Sequence, residues 1–315
     1  MHDSPLDHVK WFVDPSRYPT DYSLLSSLPV IAAFVISAIA VGVAYLLQHR
    51  AREPRLFRSL ERYAGFGPLA LGLHVGIALV AASLAGMLFV PSLRITDDAS
   101  GAVLRGAELV IGAALALGAG TRPAAVGLTA LGAIAMVPFS LESILEQVHL
   151  LGAAMFFFAV GRGSIAVDAL LGQRRSIDND RAPQFALMVL RIAMGFGIAF
   201  GALTEKLLDP ALSGALLQAR PELNVLRVAG IGDAGFVYLA GLAELVIGIV
   251  IMSGQLTRPV MAVGAMLFTI TLPVFGWLEL LGHLPYYGMM LTLFLAPYPE
   301  SPQVRDQLRT GKLAA

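Results

Sequence analysis

The 315-residue sequence has no cysteine. Disulfide relays, iron–sulfur ligation and cysteine-based zinc sites are therefore excluded within the chain, and any redox chemistry must use a bound cofactor or a partner. Charge is also scarce: 14% of the residues are Asp, Glu, Lys or Arg, whereas soluble domains carry about 25%. Formal net charge is zero, so the charge balance points to no particular partner, and no nucleic acid is expected. What remains is apolar, with 57% hydrophobic residues and a mean hydropathy of +0.73. Crossing about 30 Å of hydrocarbon takes roughly 20 mainly apolar residues in a helix. Nine runs read as such spans: 24–47, 65–91, 102–118, 122–141, 145–168, 184–208, 232–254, 258–280 and 284–298.

If these spans alternate, the basic residues collect on one side. Arg50, Arg52, Arg55, Arg58 and Arg62 fall in the first connection, Arg174, Arg175 and Arg181 in the fifth, and Arg305, Arg309 and Lys312 in the tail. Arg122 and Arg258 occupy tight turns on the same side. Loops rich in Lys and Arg stay cytoplasmic, which puts the N-terminus outside and the C-terminus inside an inner membrane. Asp3, Asp7, Asp14 and Asp21 precede the first run, so it lacks the basic n-region of a cleaved signal. Trp11, Phe12 and Tyr18 are candidate interfacial anchors.

The stretch GAELVIGAALALGAGTRP from Gly106 returns as GLAELVIGIVIMSGQLTRP from Gly241. Thirteen residues separate Glu108 from Thr121, and thirteen separate Glu244 from Thr257. Upstream, residues 72–91 resemble 191–210; downstream, Pro138, Glu146 and His149 are echoed by Pro273, Glu279 and His283. Each unit then holds four spans. An even number returns the chain to its starting side, so the units run parallel, related by a pseudo-two-fold along the membrane normal. The expected organisation is an outer segment, first helix and basic loop over 1–63, repeat one over 64–171 and a cytoplasmic linker over 172–183. Repeat two follows over 184–299 and a cytoplasmic tail over 300–315. The fold expected is an all-α integral membrane protein of about nine helices, a pseudo-dimer in one chain. Between spans six and seven, residues 209–235 carry apolar positions at near-helical spacing, as either a segment over the outer mouth of repeat two or a plain surface loop.

A carboxylate at mid-membrane costs about 3 kcal/mol, so it faces the bundle and finds a partner. Counted from the inner ends of their spans, Glu244 is roughly 14 Å deep and Arg191 roughly 10 Å, which makes an Arg191–Glu244 pair the expectation. In repeat one the Arg191 position is Gly72, and Glu108 has Arg105 within i,i+3 reach. Glu205 and Lys206 correspond to Gly86 and Met87, so repeat two reads as equipped and repeat one as scaffold. A buried pair can equally hold two helices in register, and Gly195, Gly197, Gly201 and Gly241 fit close helix packing. Glu279 with His283, and Glu146 with His149, read as outer-surface pairs that cap or hydrogen-bond; a metal would want a third ligand. Nothing in the spacing demands a haem between His149 and His283.

VLRIAMGFGIAFGALTEKLLDP followed by AGLAELVIGIVIMSGQLTRP resembles the DoxX/DoxD family of small four-helix membrane proteins. Arg191, Lys206, Glu244, Gly248 and Arg258 occupy the family's pattern positions. The match covers residues 186–298 well and 66–165 more weakly. It implies a four-helix bundle and a membrane subunit of a quinone-linked oxidoreductase, such as a thiosulfate:quinone type. On that reading a quinone is approached by Lys206 or Arg191, with Glu205 and Glu279 nearby and Glu244 or His283 exchanging protons. A redox partner subunit and a small oxidisable anion, drawn to Lys206, Arg220 and Arg227, go with it. The lipid bilayer is the other partner. A transporter or an assembly protein using the same buried charges is the alternative.

Overall fold

The computed structural model describes residues 9–50, 54–172 and 181–298. Arg52, Arg174, Arg175, Arg305, Arg309, Lys312 and the side chains of Trp11, Phe12 and Arg181 lie outside the described residues. In chain order the elements are α1 (Val9–Phe12), α2 (Leu28–Arg50), α3 (Arg55–Ser59), α4 (Gly67–Leu84), a hairpin of β1 (Met87–Leu88) and β2 (Val90–Arg94), α5 (Ala99–Leu117), α6 (Thr121–Ala135), α7 (Leu141–Glu146) and α8 (Val148–Val160). Then come α9 (Val167–Leu170), α10 (Arg181–Ala202) running into a π-helical turn (Leu203–Leu207), α11 (Pro210–Ala219), α12 (Asp233–Ser253), α13 (Thr257–Phe275) and α14 (Trp277–Leu295).

Among the described residues five helices are long and apolar enough to cross a membrane: Leu28–Arg50, Arg55–Leu84, Ala99–Leu117, Pro183–Leu207 and Asp233–Ser253. Val148–Val160 and Thr257–Ile270 are apolar but shorter. The chain is thus a helical, membrane-embedded protein. Several run boundaries move. The run 65–91 ends as a helix at Leu84 and passes into the hairpin, residues 145–168 divide into the end of α7, α8, a loop and the start of α9, and the last two runs divide at Gly276 instead of near residue 282. Pro273 has no backbone N–H to continue the helix, and Gly276 takes a φ of +76°, open to glycine without strain.

The two quartets pack reciprocally. Within each, the first helix packs on the second (α4 on α5, α10 on α12) and the third on the fourth (α6 on α8, α13 on α14). Between them, the fourth helix of one packs on the first of the other, α8 on α10 and α14 on α4, the pattern a two-fold axis generates. Matching glycines make the same crossing in both. A methyl group on Gly76 would lie 2.5 Å from the Gly112 carbonyl oxygen, and one on Gly195 would lie 2.5 Å from that of Gly248. Only helices without side chains at these points approach so closely.

The repeated Thr-Arg-Pro acts on the fourth helix of its own quartet. Arg122 donates to the Phe158 carbonyl at 3.0 Å, and Arg258 donates to the Phe294 carbonyl at 2.9 Å. Arg258 is 1% exposed, and it also donates to the Ala296 carbonyl and to Glu61 at 2.8 Å. A cation among carbonyls left open at a helix C-terminus is favourably placed. The turn preceding it is held differently in each quartet. Asp168 accepts from the Gly120 and Thr121 amides, whereas the Leu256 amide, at a residue with φ of +47°, donates to Gln48 of α2. Helix α2 lies outside the quartets against α12, its Pro29 carbonyl accepting from Tyr238.

Candidate functional site

The quartets differ at the point where the first helix hands over to the second. In the first, the hairpin folds inward and buries Leu88, Phe89, Val90 and Leu93 in the core. Phe89, at a φ of +63°, donates its backbone N–H to Glu108 Oε1 at 2.7 Å. Glu108 is fully buried there. Arg105 instead meets Asp97 at 3.0 Å, so the expected Arg105–Glu108 pair does not form.

In the second quartet no hairpin fills that place. The π turn widens α10 at its end, and α11 leaves it as a surface helix. Asp209 caps α11 by accepting from the Leu212 N–H at 2.9 Å, and Pro210 needs no such acceptor. Burial pushes the Asp209 carboxyl up, with the Leu212 hydrogen bond opposing. Beneath α11 lies a cavity of about 460 Å³. Leu216, Leu217 and Leu226 form its roof, and Leu239, Leu267 and Ile270 line another side, with Leu239 40% and Ile270 57% exposed. Of the two expectations for residues 209–235, a segment over a mouth or a plain surface loop, the structure matches the first in form: Pro210–Ala219 is helical and its Leu216 and Leu217 line the cavity.

Lys206, Glu244, Glu279 and His283 converge in this cavity. Lys206 Nζ is 2.8 Å from Glu244 Oε2, with the side chains 16% and 22% exposed. The expected Arg191–Glu244 pair is therefore replaced by Lys206–Glu244. Arg191 lies against Gly254, at the far end of α12, where a methyl group would meet its Nη1 at 2.1 Å. Ten residues of helix separate Gly254 from Glu244, roughly 15 Å. The reason is directional: Cα–Cβ bonds tilt toward the helix N-terminus. Glu244 on descending α12 and Lys206 at the end of ascending α10 lean toward each other, while Arg191 leans away.

Glu279 and His283 are not at an outer surface. They are 2% and 7% exposed, on the first turns of α14, with Glu279 Oε1 3.3 Å from His283 Nδ1 and the imidazole stacked on Phe268 at 4.3 Å. Glu205, 2% exposed, turns away from the main cavity to a small one of about 30 Å³ that it shares with Glu146, His149 and Tyr286. Its Oε2 accepts the Val9 backbone N–H at 3.2 Å. Between the two histidines sits the Tyr286 ring, stacked on His149 at 4.4 Å and edge-on to His283 at 6.4 Å, where a haem would have to lie. Among the described residues no three His, Cys, Asp or Glu side chains group to hold a metal ion.

Two participants escaped the sequence. Tyr286 follows His283 by three residues and so shares its helix face, a signal that was there to use. Lys10 carried no signal: its side chain reaches Glu142 and Glu146 from the N-terminal segment. Burial lowers the Lys10 ammonium, but the charges of Glu146 and Glu205 and the hydrogen bonds to Glu142 and Glu146 outweigh it and hold the group above its ordinary value. Of the cations expected to draw an anion, each is already paired: Lys206 with Glu244, Arg220 with Glu222 at 3.5 Å and Arg227 with Asp233 at 2.7 Å.

Fold and site together define a helical membrane-embedded protein with a ligand-sized cavity under a surface helix. No protein-family profile matches the chain, and neither does any curated protein or solved structure.

Proposed function

We propose that the chain is the membrane subunit of a quinone-linked oxidoreductase system, binding a quinone headgroup in the cavity of repeat two. The observation that carries this reading is the cavity's composition: an apolar enclosure with a part-buried cation, two carboxylates and an imidazole converging inside it. Ligand sites for partly apolar small molecules are built this way. The donor set fits a quinone. An ammonium carries three donors, and among the described residues the one hydrogen-bond partner of Lys206 is Glu244, which leaves N–H groups for a carbonyl oxygen. When bound, the quinone supplies two-electron, two-proton redox chemistry. Lys206 orients one carbonyl, Glu244 fixes Lys206, and His283, held by Glu279, holds or releases a proton at its ring nitrogen.

The resemblance to the DoxX/DoxD family supports the same reading, as a tandem duplication in which repeat two keeps the site. On this proposal all nine helical segments cross the inner membrane, with the N-terminus outside, and electrons pass to or from a partner subunit. A through-path for a solute is less well supported. The Gly195–Gly248 crossing closes α10 onto α12 below the Lys206–Glu244 pair, leaving 2.5 Å for an added methyl group.

The test is purification in mild detergent, analysis of co-extracted quinones, and titration with decylubiquinone followed by quenching of Trp277 fluorescence. Saturable quenching that weakens at least tenfold in Lys206→Met is expected. Absence of both co-extracted quinone and saturable quenching, or unchanged affinity in Lys206→Met, overturns the proposal.

A further inference from the structure

We propose that Tyr286 and His149 form a proton relay joining the main cavity to the carboxylates under the N-terminal segment. The inference rests on the reading of the main cavity as a site for a proton-coupled ligand. Its starting point is a shared wall: Tyr286 lines both the main cavity and the small one. Its hydroxyl lies 3.2 Å from His149 Nδ1, and the two rings stack at 4.4 Å, which fixes their mutual orientation. Tyr286 and His149 are 6% and 2% exposed. Gly197 makes room for the hydroxyl, since a methyl group there would lie 2.5 Å from it.

The small cavity, about 30 Å³, is lined by Glu146, Gln147, Glu205 and Ser92 as well as His149. A polar site of that size holds a water, which needs about 10–15 Å³ and two to four polar partners. On its far side, Lys10 binds Glu142 and Glu146. On the main-cavity side, His283 and Glu279 precede Tyr286 on the same helix. The charged and titratable groups facing the pair are therefore Glu279 and His283 of α14, Glu146 of α7, Glu205 of the π turn and Lys10 of α1. Helix α13 offers Phe268, and on α4 His74 meets α14 at Gly288.

The transfer balances without any redox step. The Glu146 backbone carbonyl, 3.0 Å from His149 Nδ1, can only accept, so Nδ1 carries the resting proton. A carboxyl proton of Glu146 or Glu205 in the small cavity bonds to Nε2 as the Nδ1 proton moves to the Tyr286 oxygen and the phenolic proton leaves for the main cavity; the same steps in reverse carry a proton out of the main cavity and return the imidazole to its resting tautomer. A tyrosine placed there for packing alone needs no hydroxyl, and this one has an imidazole as its partner.

The experiment uses the full chain in detergent, with decylubiquinone binding read by Trp277 quenching and electron transfer from decylubiquinol to ferricyanide read between pH 5.5 and 8.5 in water and in deuterium oxide. Tyr286→Phe and His149→Gln are expected to keep the decylubiquinone Kd within twofold. They should slow electron transfer at least tenfold, with a larger solvent isotope effect and a flattened pH profile. Gly197→Ala, which displaces the hydroxyl, should do the same, and Tyr287→Phe should not. Intact binding with wild-type rate, isotope effect and pH profile in Tyr286→Phe overturns the relay and leaves the cavity reading standing. No decylubiquinone binding by the wild-type chain overturns the cavity reading and the relay with it.

Discussion

Glu108 and Glu244 hold the same register position in the two quartets and do different work. Glu108 replaces the partner that a left-handed backbone amide would otherwise lack. Glu244 neutralises an ammonium. Removing one member of a buried ion pair leaves a charge uncompensated, which costs on the order of 3 kcal/mol, whereas replacing both with apolar side chains is close to neutral. Glu244→Leu should therefore lower the thermal unfolding midpoint in detergent, and Lys206→Met added to it should restore most of the loss. A double variant no more stable than the single would contradict the pairing. Glu108→Gln retains an oxygen for the Phe89 amide and should be mild, while Glu108→Ala orphans that amide at about 1–3 kcal/mol. Equal unfolding midpoints for these two would remove Glu108 from the hairpin. That repeat two holds the cation was legible, because Met87 stands where Lys206 does. Which cation meets Glu244 was legible only in part: depth counting favoured Arg191, and the tilt of Cα–Cβ bonds, available from topology alone, favoured Lys206.

Elements in matching positions have diverged more than the helices that carry them. Between the first and second helix of each quartet the chain makes a buried hairpin in one case and α11 over a cavity in the other. Apolar spacing offered α11 as one of two readings, the other being a plain surface loop. The hairpin was read as the end of the run 65–91 and the start of the connection after it, since two strands of two and five residues leave no period to detect. The glycine crossings beneath them are shared. Gly195→Ala and Gly76→Ala each force a methyl group against a facing carbonyl, and overpacking of this kind costs about 1–3 kcal/mol. Gly214 in α11 has nothing within 4 Å of an added methyl group, so Gly214→Ala should stabilise by roughly 0.4–1 kcal/mol through the unfolded chain. Unfolding midpoints measured side by side should fall for the first two and hold or rise for the third. A fall in only one of Gly76→Ala and Gly195→Ala would show that the crossings are not equivalent.

At the scale of the molecule, the quartets pack reciprocally, the fourth helix of each on the first of the other; the span count and the repeat had led to an expectation of parallel order. What they could not supply was the clasp across the quartets. Lys10 joins Glu142 and Glu146, both on the short helix α7 of the first, while the adjacent Val9 amide binds Glu205 of the second. A lone lysine in a polar segment looks solvated until its acceptors are located. Its pH response has a defined sign. Burial pushes Glu142 up, but the hydrogen bond and charge of Lys10, with Tyr22 and Thr20, bring the docked carboxyl below its ordinary value. Such a group favours the docked segment fully above the undocked pKa, about 4.3, and loses that contribution as pH falls through the depressed docked value. Lys10, held above its ordinary value of about 10.4, contributes below that value and loses its effect only at more alkaline pH. Docking should then be constant from about pH 6 to 9 and weaken in the acid range below about pH 4. Because the chain has no cysteine, Arg17→Cys gives a single attachment point for a spin label on an exposed side chain. The label should gain a mobile component as pH drops from 7 to 3, and Lys10→Met should show that component already at pH 7. A label whose mobility is the same in both backgrounds and at both pH values would mean that the ion pairs do not hold the segment.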